Sequence, residues 1–90
     1  MNYYLDFSED ANDDLMRHIM AGNKKLLKKI HDLFEELKEH PETGTGNPGY
    51  KKYYAFWARK ISDQHRMTYE IDETKKIVKL HSLWGHYDDK

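Results

Sequence analysis

The sequence predicts an α+β domain: a short N-terminal strand, an antiparallel helix hairpin, and then a three- to four-stranded antiparallel sheet. Three observations carry this. Apolar residues recur at helical spacing between residues 11 and 37, and the periodicity turns to alternation from Tyr53 onward. Turn-forming residues then divide the second half into runs of strand length. Ninety residues suffice for a single domain, 1–90, with one modest core, and leave no room for a second domain of ordinary size.

The elements follow in order. Tyr3-Tyr4-Leu5-Asp6-Phe7 is a short aromatic-rich strand, and Ser8 follows as a helix N-cap with Glu9 and Asp10 in the first turn, where carboxylates suit the helix dipole. Ala11, Leu15 and Ile19, with Met16 and Met20, continue that helix until Gly22-Asn23 breaks it. A stronger amphipathic helix spans 24–40: Leu26, Ile30, Leu33, Phe34 and Leu37 mark its apolar stripe, and four lysines occupy other positions of the turn. The short link makes the two helices a hairpin, and Pro41 ends the second.

Residues 41–52 hold both prolines and three of the five glycines, and read as a loop crossing from helices to sheet. Gly44 and Gly46 have no strand before them and no helix after, so they are not expected to cradle phosphate as a dinucleotide-type loop does. Three strands are then expected at 53–61, 65–71 and 76–83, joined by turns at 62–64 and 72–75 as an antiparallel meander. The helix hairpin is expected on one face of this sheet, with the other face open to a ligand.

Composition narrows the function classes. The chain has no cysteine, which excludes disulfides and thiolate metal sites. No apolar run reaches the roughly 18 residues a membrane span needs, and the start Met-Asn-Tyr-Tyr-Leu-Asp-Phe lacks the features of a signal peptide, so a cytoplasmic protein without a membrane partner is expected. The net charge of -1 hides an asymmetry: residues 1–46 carry six Lys/Arg against ten Asp/Glu, and residues 47–90 carry nine against six. An anionic partner is therefore expected on the second half, in a local or assisted contact and not by long-range attraction.

Most of Phe56, Trp57, Tyr69 and Trp84 are expected in the core, because so small a domain needs large aromatics to fill it. His18, His31 and His40 lie on the helices without companions at metal spacing and are expected to be solvated. Neither a metal nor another cofactor is expected.

Five stretches in one register carry a family resemblance: Lys24-Lys25-Leu26-Leu27-Lys28-Lys29-Ile30, the Gly-x-Gly-x-Pro loop at 44–48, Phe56-Trp57-Ala58-Arg59-Lys60-Ile61, His65-Arg66-Met67-Thr68-Tyr69, and Gly85-His86-Tyr87. Together they resemble the YoeB/Txe group of RelE-type toxins from bacterial toxin–antitoxin modules, over nearly the whole chain. The resemblance implies a metal-independent endoribonuclease that enters the ribosomal A site and cuts mRNA there, neutralised by a cognate antitoxin, with a homodimer as a further possible assembly. In the family chemistry the ribose 2′-OH attacks the adjacent phosphate, leaving a cyclic phosphate and a 5′-OH. That reaction needs a base, cations for the phosphorane and an acid for the leaving oxygen.

Carried over position by position, Arg66 matches the catalytic arginine and His86 the catalytic histidine, a general acid at neutral pH. Tyr87 matches a tyrosine that orients phosphate or stacks a base, and Arg59, Lys60 and His65 are expected to contact RNA. The family's base glutamate falls at Gly49. Lys51 or Lys52 is the first candidate to replace it, as lysines serve in the sister RelE group, with Glu42 or His65 as alternatives. The other reading is a nuclease-deficient relative that acts by binding, through an A-site block or through inhibition of another target, as the ParE branch does with gyrase.

Overall fold

The computed structural model describes residues 2–85. Seven elements follow one another: β1 (Tyr4–Phe7), α1 (Glu9–Ala21), α2 (Lys24–Glu39), β2 (Gly49–Lys51), β3 (Phe56–Lys60), β4 (Arg66–Asp72) and β5 (Ile77–Ser82). The strands form one sheet in the order β1-β5-β4-β3-β2. β1 runs parallel to β5, and every other neighbouring pair is antiparallel.

Local chemistry explains the helices. Ser8 caps α1 by accepting from the amide of Ala11, and Gly22 closes it in the left-handed conformation, φ 73°, donating to the carbonyls of His18 and Ile19. Asn23 caps α2 at once by accepting from the amide of Leu26. Ile30, Leu33 and Leu37 of α2 are buried with Met67 and Tyr69 of β4 and Val78 and Leu80 of β5, so the helices cover one sheet face. Phe7 meets Phe34 edge to face at 5.2 Å on the margin of this core.

Three expectations are corrected here. Gly49–Lys51, expected as loop, is a strand that pairs with β3 through Tyr50 opposite Trp57, so four antiparallel strands follow the helix hairpin, the upper of the two expected numbers, and β1 joins them in parallel as the fifth. So short an edge strand, next to Pro48, has almost no pattern of its own and exists only because a partner strand lies beside it. The strand expected at 53–61 starts at Phe56 instead, since residues 52–55 turn the β2–β3 hairpin: the amides of Tyr54 and Ala55 both donate to the Lys51 carbonyl, and Ala55 takes φ 60°. Tyr53 at this tip is 91% exposed.

The third correction concerns α1. Met16, Ile19 and Met20 are exposed, and the inward face is Ala11, Leu15 and His18. His18, expected in solvent, is 1% exposed because its Nε2 donates to the Leu83 carbonyl at 2.8 Å. A polar ring is stable in that position only with such a partner.

Candidate active site and family

The sheet face away from the helices carries the candidate site. Strand alternation sends Met67 and Tyr69 into the core and their neighbours Arg66 and Thr68 to the opposite face. Register places Arg66 across from Lys60, Thr68 across from Ala58, and Gly49 across from Ala58 on its other side. Gly46, Asn47, Lys51, Ala58, Lys60 and Arg66 line a cleft of about 240 Å³. Three of these six lining residues, Lys51, Lys60 and Arg66, are basic.

Arg66 is held and yet available. Its Nη1 donates to the carbonyls of Ser62 and His65, which pins the guanidinium to the 62–65 turn. Nη2 and Nε have no partner among the described residues, so donors remain for a phosphate. Lys60 pairs with Asp63 at 2.9 Å, an exposed contact that an incoming anion displaces at little cost. Lys51 lies in the cleft, half-buried, whereas Lys52 is exposed on the hairpin turn and is not part of the cleft lining.

The glycine loop positions this cleft. The Gly46 carbonyl accepts from the Lys60 amide at 2.8 Å, and a Cβ on Gly46 would lie 2.5 Å from the Lys60 carbonyl oxygen. Gly46 also has φ 88°, so two independent reasons require glycine there. Asn47 follows at φ 50° and brings its own side to the cleft wall, a residue that the sequence reading did not single out. Its only advance signal was its place inside the Gly-x-Gly-x-Pro loop.

Two of the three expected RNA contacts are elsewhere. Arg59 is 0% exposed: its Nη1 donates to Glu36 at 3.0 Å, and its Nη2 to the carbonyls of His40 and Thr43 at 3.0 and 2.9 Å. It ties the glycine loop to α2 and cannot reach RNA, because consecutive strand residues face opposite sides and Lys60 already takes the open one. Burial opposes the charge on Glu36, but hydrogen bonds from Thr45 and the Arg59 guanidinium outweigh it and hold the carboxyl below the usual carboxylate range. Burial pushes the Tyr69 phenol up despite the Arg59 charge beside it, and its hydroxyl donates to the Pro41 carbonyl at 2.7 Å.

His65 is 8% exposed and packs its ring on His18 and Trp84, with centroids 4.8 and 4.5 Å away. It faces the interior beside α1 and not the cleft. Glu42, offered as an alternative base, is exposed and not part of the cleft lining. His86 and Tyr87 lie outside the described residues. The chain is described as far as Gly85, whose carbonyl accepts from the Arg66 amide at 2.9 Å, so the residue that precedes His86 is bonded to the strand that carries Arg66. Among the described residues, no three His, Asp or Glu side chains gather as a metal site.

Residues 7–87 match the family model described as the YoeB-like toxin of bacterial type II toxin–antitoxin systems. The chain belongs to this family. Toxin YoeB of Escherichia coli K12 is 29% identical over 76 residues, which cover 82% of this chain and 89% of that protein. Toxin YoeB of Mycobacterium bovis is 30% identical over 71 residues, 77% of this chain and 82% of that protein. Among solved structures, the YoeB dimer from Staphylococcus aureus aligns with a TM-score of 0.79 at 27% identity, covering 97% of this chain and 100% of that one. The YoeB/ParE toxin from Agrobacterium tumefaciens, at 24% identity, shares the fold with a TM-score of 0.83 over 93% of this chain and 99% of its own. As a YoeB-like toxin the chain is a component of a toxin–antitoxin module, in a family that is generally endoribonucleolytic. No helix among the described residues is long and apolar enough to cross a membrane.

Proposed function

We propose that this YoeB-like toxin is a ribosome-dependent endoribonuclease that cuts mRNA in the A site without a metal or other cofactor. The reading rests on one arrangement: the Arg66 fork stands in a cleft with Lys51 and Lys60, while the Arg66 amide holds Gly85, from which the chain continues to His86. Lys51 takes the 2′-OH proton, and the 2′-oxygen attacks the adjacent phosphorus. Arg66 and Lys60 neutralise the charge that builds on the phosphorane oxygens. His86 gives its proton to the departing 5′-oxygen, so the P–O5′ bond breaks as the P–O2′ bond forms, leaving a cyclic phosphate and a 5′-OH. Tyr87 orients the phosphate, and Lys52 at the hairpin tip meets the RNA backbone.

The weak net charge fits a toxin steered by the ribosome and not by its own field. A cognate antitoxin covering the cationic cleft with an acidic or extended segment would hold the enzyme inactive in the cytoplasm. In Staphylococcus aureus, a relative at 28% identity is known as a YoeB–YefM complex, with a TM-score of 0.76. A homodimer, like that of the Staphylococcus aureus relative, is the assembly proposed for the free toxin.

Toeprinting of translation reactions tests the reading: added protein should leave mRNA cut at A-site codons. Stalled ribosomes carrying intact mRNA would instead establish action by binding, the reading that Gly49 favours. The base has its own test. Lys51→Met should lower cleavage about 10²-fold. Adding Gly49→Glu should recover part of that loss, because Gly49 is outside the left-handed region and a Cβ there meets nothing nearer than Lys51 Nζ at 3.9 Å. A double variant no faster than Lys51→Met would show that no carboxylate is wanted at position 49.

A further inference from the structure

We propose that His65 is a positioning residue, which fixes the backbone of Gly85, the residue that precedes the proposed acid. This rests on the nuclease reading above, in which the residue after Gly85 is the acid. The Gly85 amide donates to His65 Nδ1 at 2.8 Å. An amide can only donate, so Nδ1 must carry the lone pair and the ring proton sits on Nε2. The ring cannot turn to another partner freely, since it is wedged between His18 and Trp84.

The contact is one of a consecutive series. Leu83 donates its amide to Asp14 at 2.9 Å, and its carbonyl accepts from His18 Nε2 at 2.8 Å. Trp84 lies under the Arg17 guanidinium, 4.0 Å from the ring centre. Gly85 is then gripped at both ends of its peptide unit, by His65 at the amide and by the Arg66 amide at the carbonyl. Helix α1 therefore fixes residues 83 and 84, and β4 with its preceding turn fixes residue 85.

The same turn presents both parts of the site. The His65 amide donates to Ser62 Oγ, and Arg66 Nη1 bonds the carbonyls of Ser62 and His65. Withdrawing the His65 ring would free the exit of the chain towards His86 and loosen the turn on which the guanidinium rests. A misplacement of about 1 Å in a reacting group can cost about 10² in rate, so a residue that never touches RNA can still govern the chemical step.

The test uses two substitutions in the full chain. His65→Phe keeps an aromatic ring against His18 and Trp84 but offers no acceptor, whereas His65→Asn places an oxygen close to where Nδ1 stands. His65→Phe should lower single-turnover cleavage on saturating ribosomes about 10²-fold, with half-saturation changed less than threefold and faster hydrogen exchange at the Gly85 amide. His65→Asn should keep the rate within about tenfold of the unsubstituted chain. Cleavage by His65→Phe at the original rate overturns the proposal, as does His65→Asn no better than His65→Phe when both melt at the same temperature.

If either variant fails to fold, the unsubstituted protein still decides. A nitrogen–nitrogen coupling across the hydrogen bond between Gly85 and His65 Nδ1 is expected in its NMR spectrum, and its absence overturns the proposal. Should the unsubstituted chain leave mRNA intact, the nuclease reading fails. The coupling and the Gly85 exchange rate still report the hydrogen bond in that case.

Discussion

Arg66→Ala is expected to lower single-turnover mRNA cleavage by about 10²–10³-fold, the usual loss when a donor aimed at transition-state charge is removed. The guanidinium is positioned before any substrate arrives, because two turn carbonyls hold Nη1 while Nη2 and Nε have no partner among the described residues. The loss should fall on the rate and not on ribosome binding, since the neighbouring Lys60 still attracts RNA. Arg66→Lys should recover only part of the activity: it restores charge but not the two-pronged contact. Quenched-flow cleavage on programmed ribosomes measures this, and a loss below tenfold would remove Arg66 from the chemistry.

Glu36→Ala is expected to destabilise the fold by about 3 kcal/mol, near the lower end of what breaking a buried ion pair costs, because Glu36 is partly solvated. It would leave Arg59, 0% exposed, with a buried and uncompensated charge. For a domain of this size that corresponds to a fall of roughly 10 °C or more in melting temperature. Adding Arg59→Met should return part of the loss, as removal of the whole pair does elsewhere.

The pair also sets an acid limit. The Glu36 carboxyl titrates below its ordinary value in the folded chain, so its contribution is complete above about pH 4.3 and is lost as pH falls through the lower, folded value. Urea midpoints measured between pH 6 and pH 3 should therefore converge for Glu36→Ala and the unsubstituted chain. Midpoints that stay equally far apart at both ends would contradict this. Because Arg59 and Glu36 hold the loop whose Gly46 abuts Lys60, the variant should also lose cleavage at temperatures where it is still folded.

Both helices were legible from the sequence because their causes are local: Ser8, Gly22 and Asn23 act within one turn of themselves, and the Leu26–Ile30–Leu33–Leu37 stripe repeats every turn. Arg66 was singled out through the motif around it, and the fold sets it in the cleft. Arg59 and Lys60 are adjacent cations in the same motif, and nothing in their order says which one the helices cover. Register with β4 decides that, by placing Arg59 opposite the buried Met67 and Lys60 opposite Arg66.

By itself, then, the sequence determined the fold class, the two helices, the meander and the identity of the residues on which the chemistry is proposed to rest. Only the tertiary structure decided that Gly49–Lys51 is a strand, that β1 lies parallel to β5, and that His18 and His65 are buried. Each depends on a partner outside the segment itself: β3 across a tight hairpin for β2, and residues far along the chain for the rest, β5 for β1, Leu83 for His18 and Gly85 for His65. The physical reason is range: caps and helical periodicity act over a few residues, whereas strand pairing and the burial of a polar ring are settled by whichever segment folds alongside.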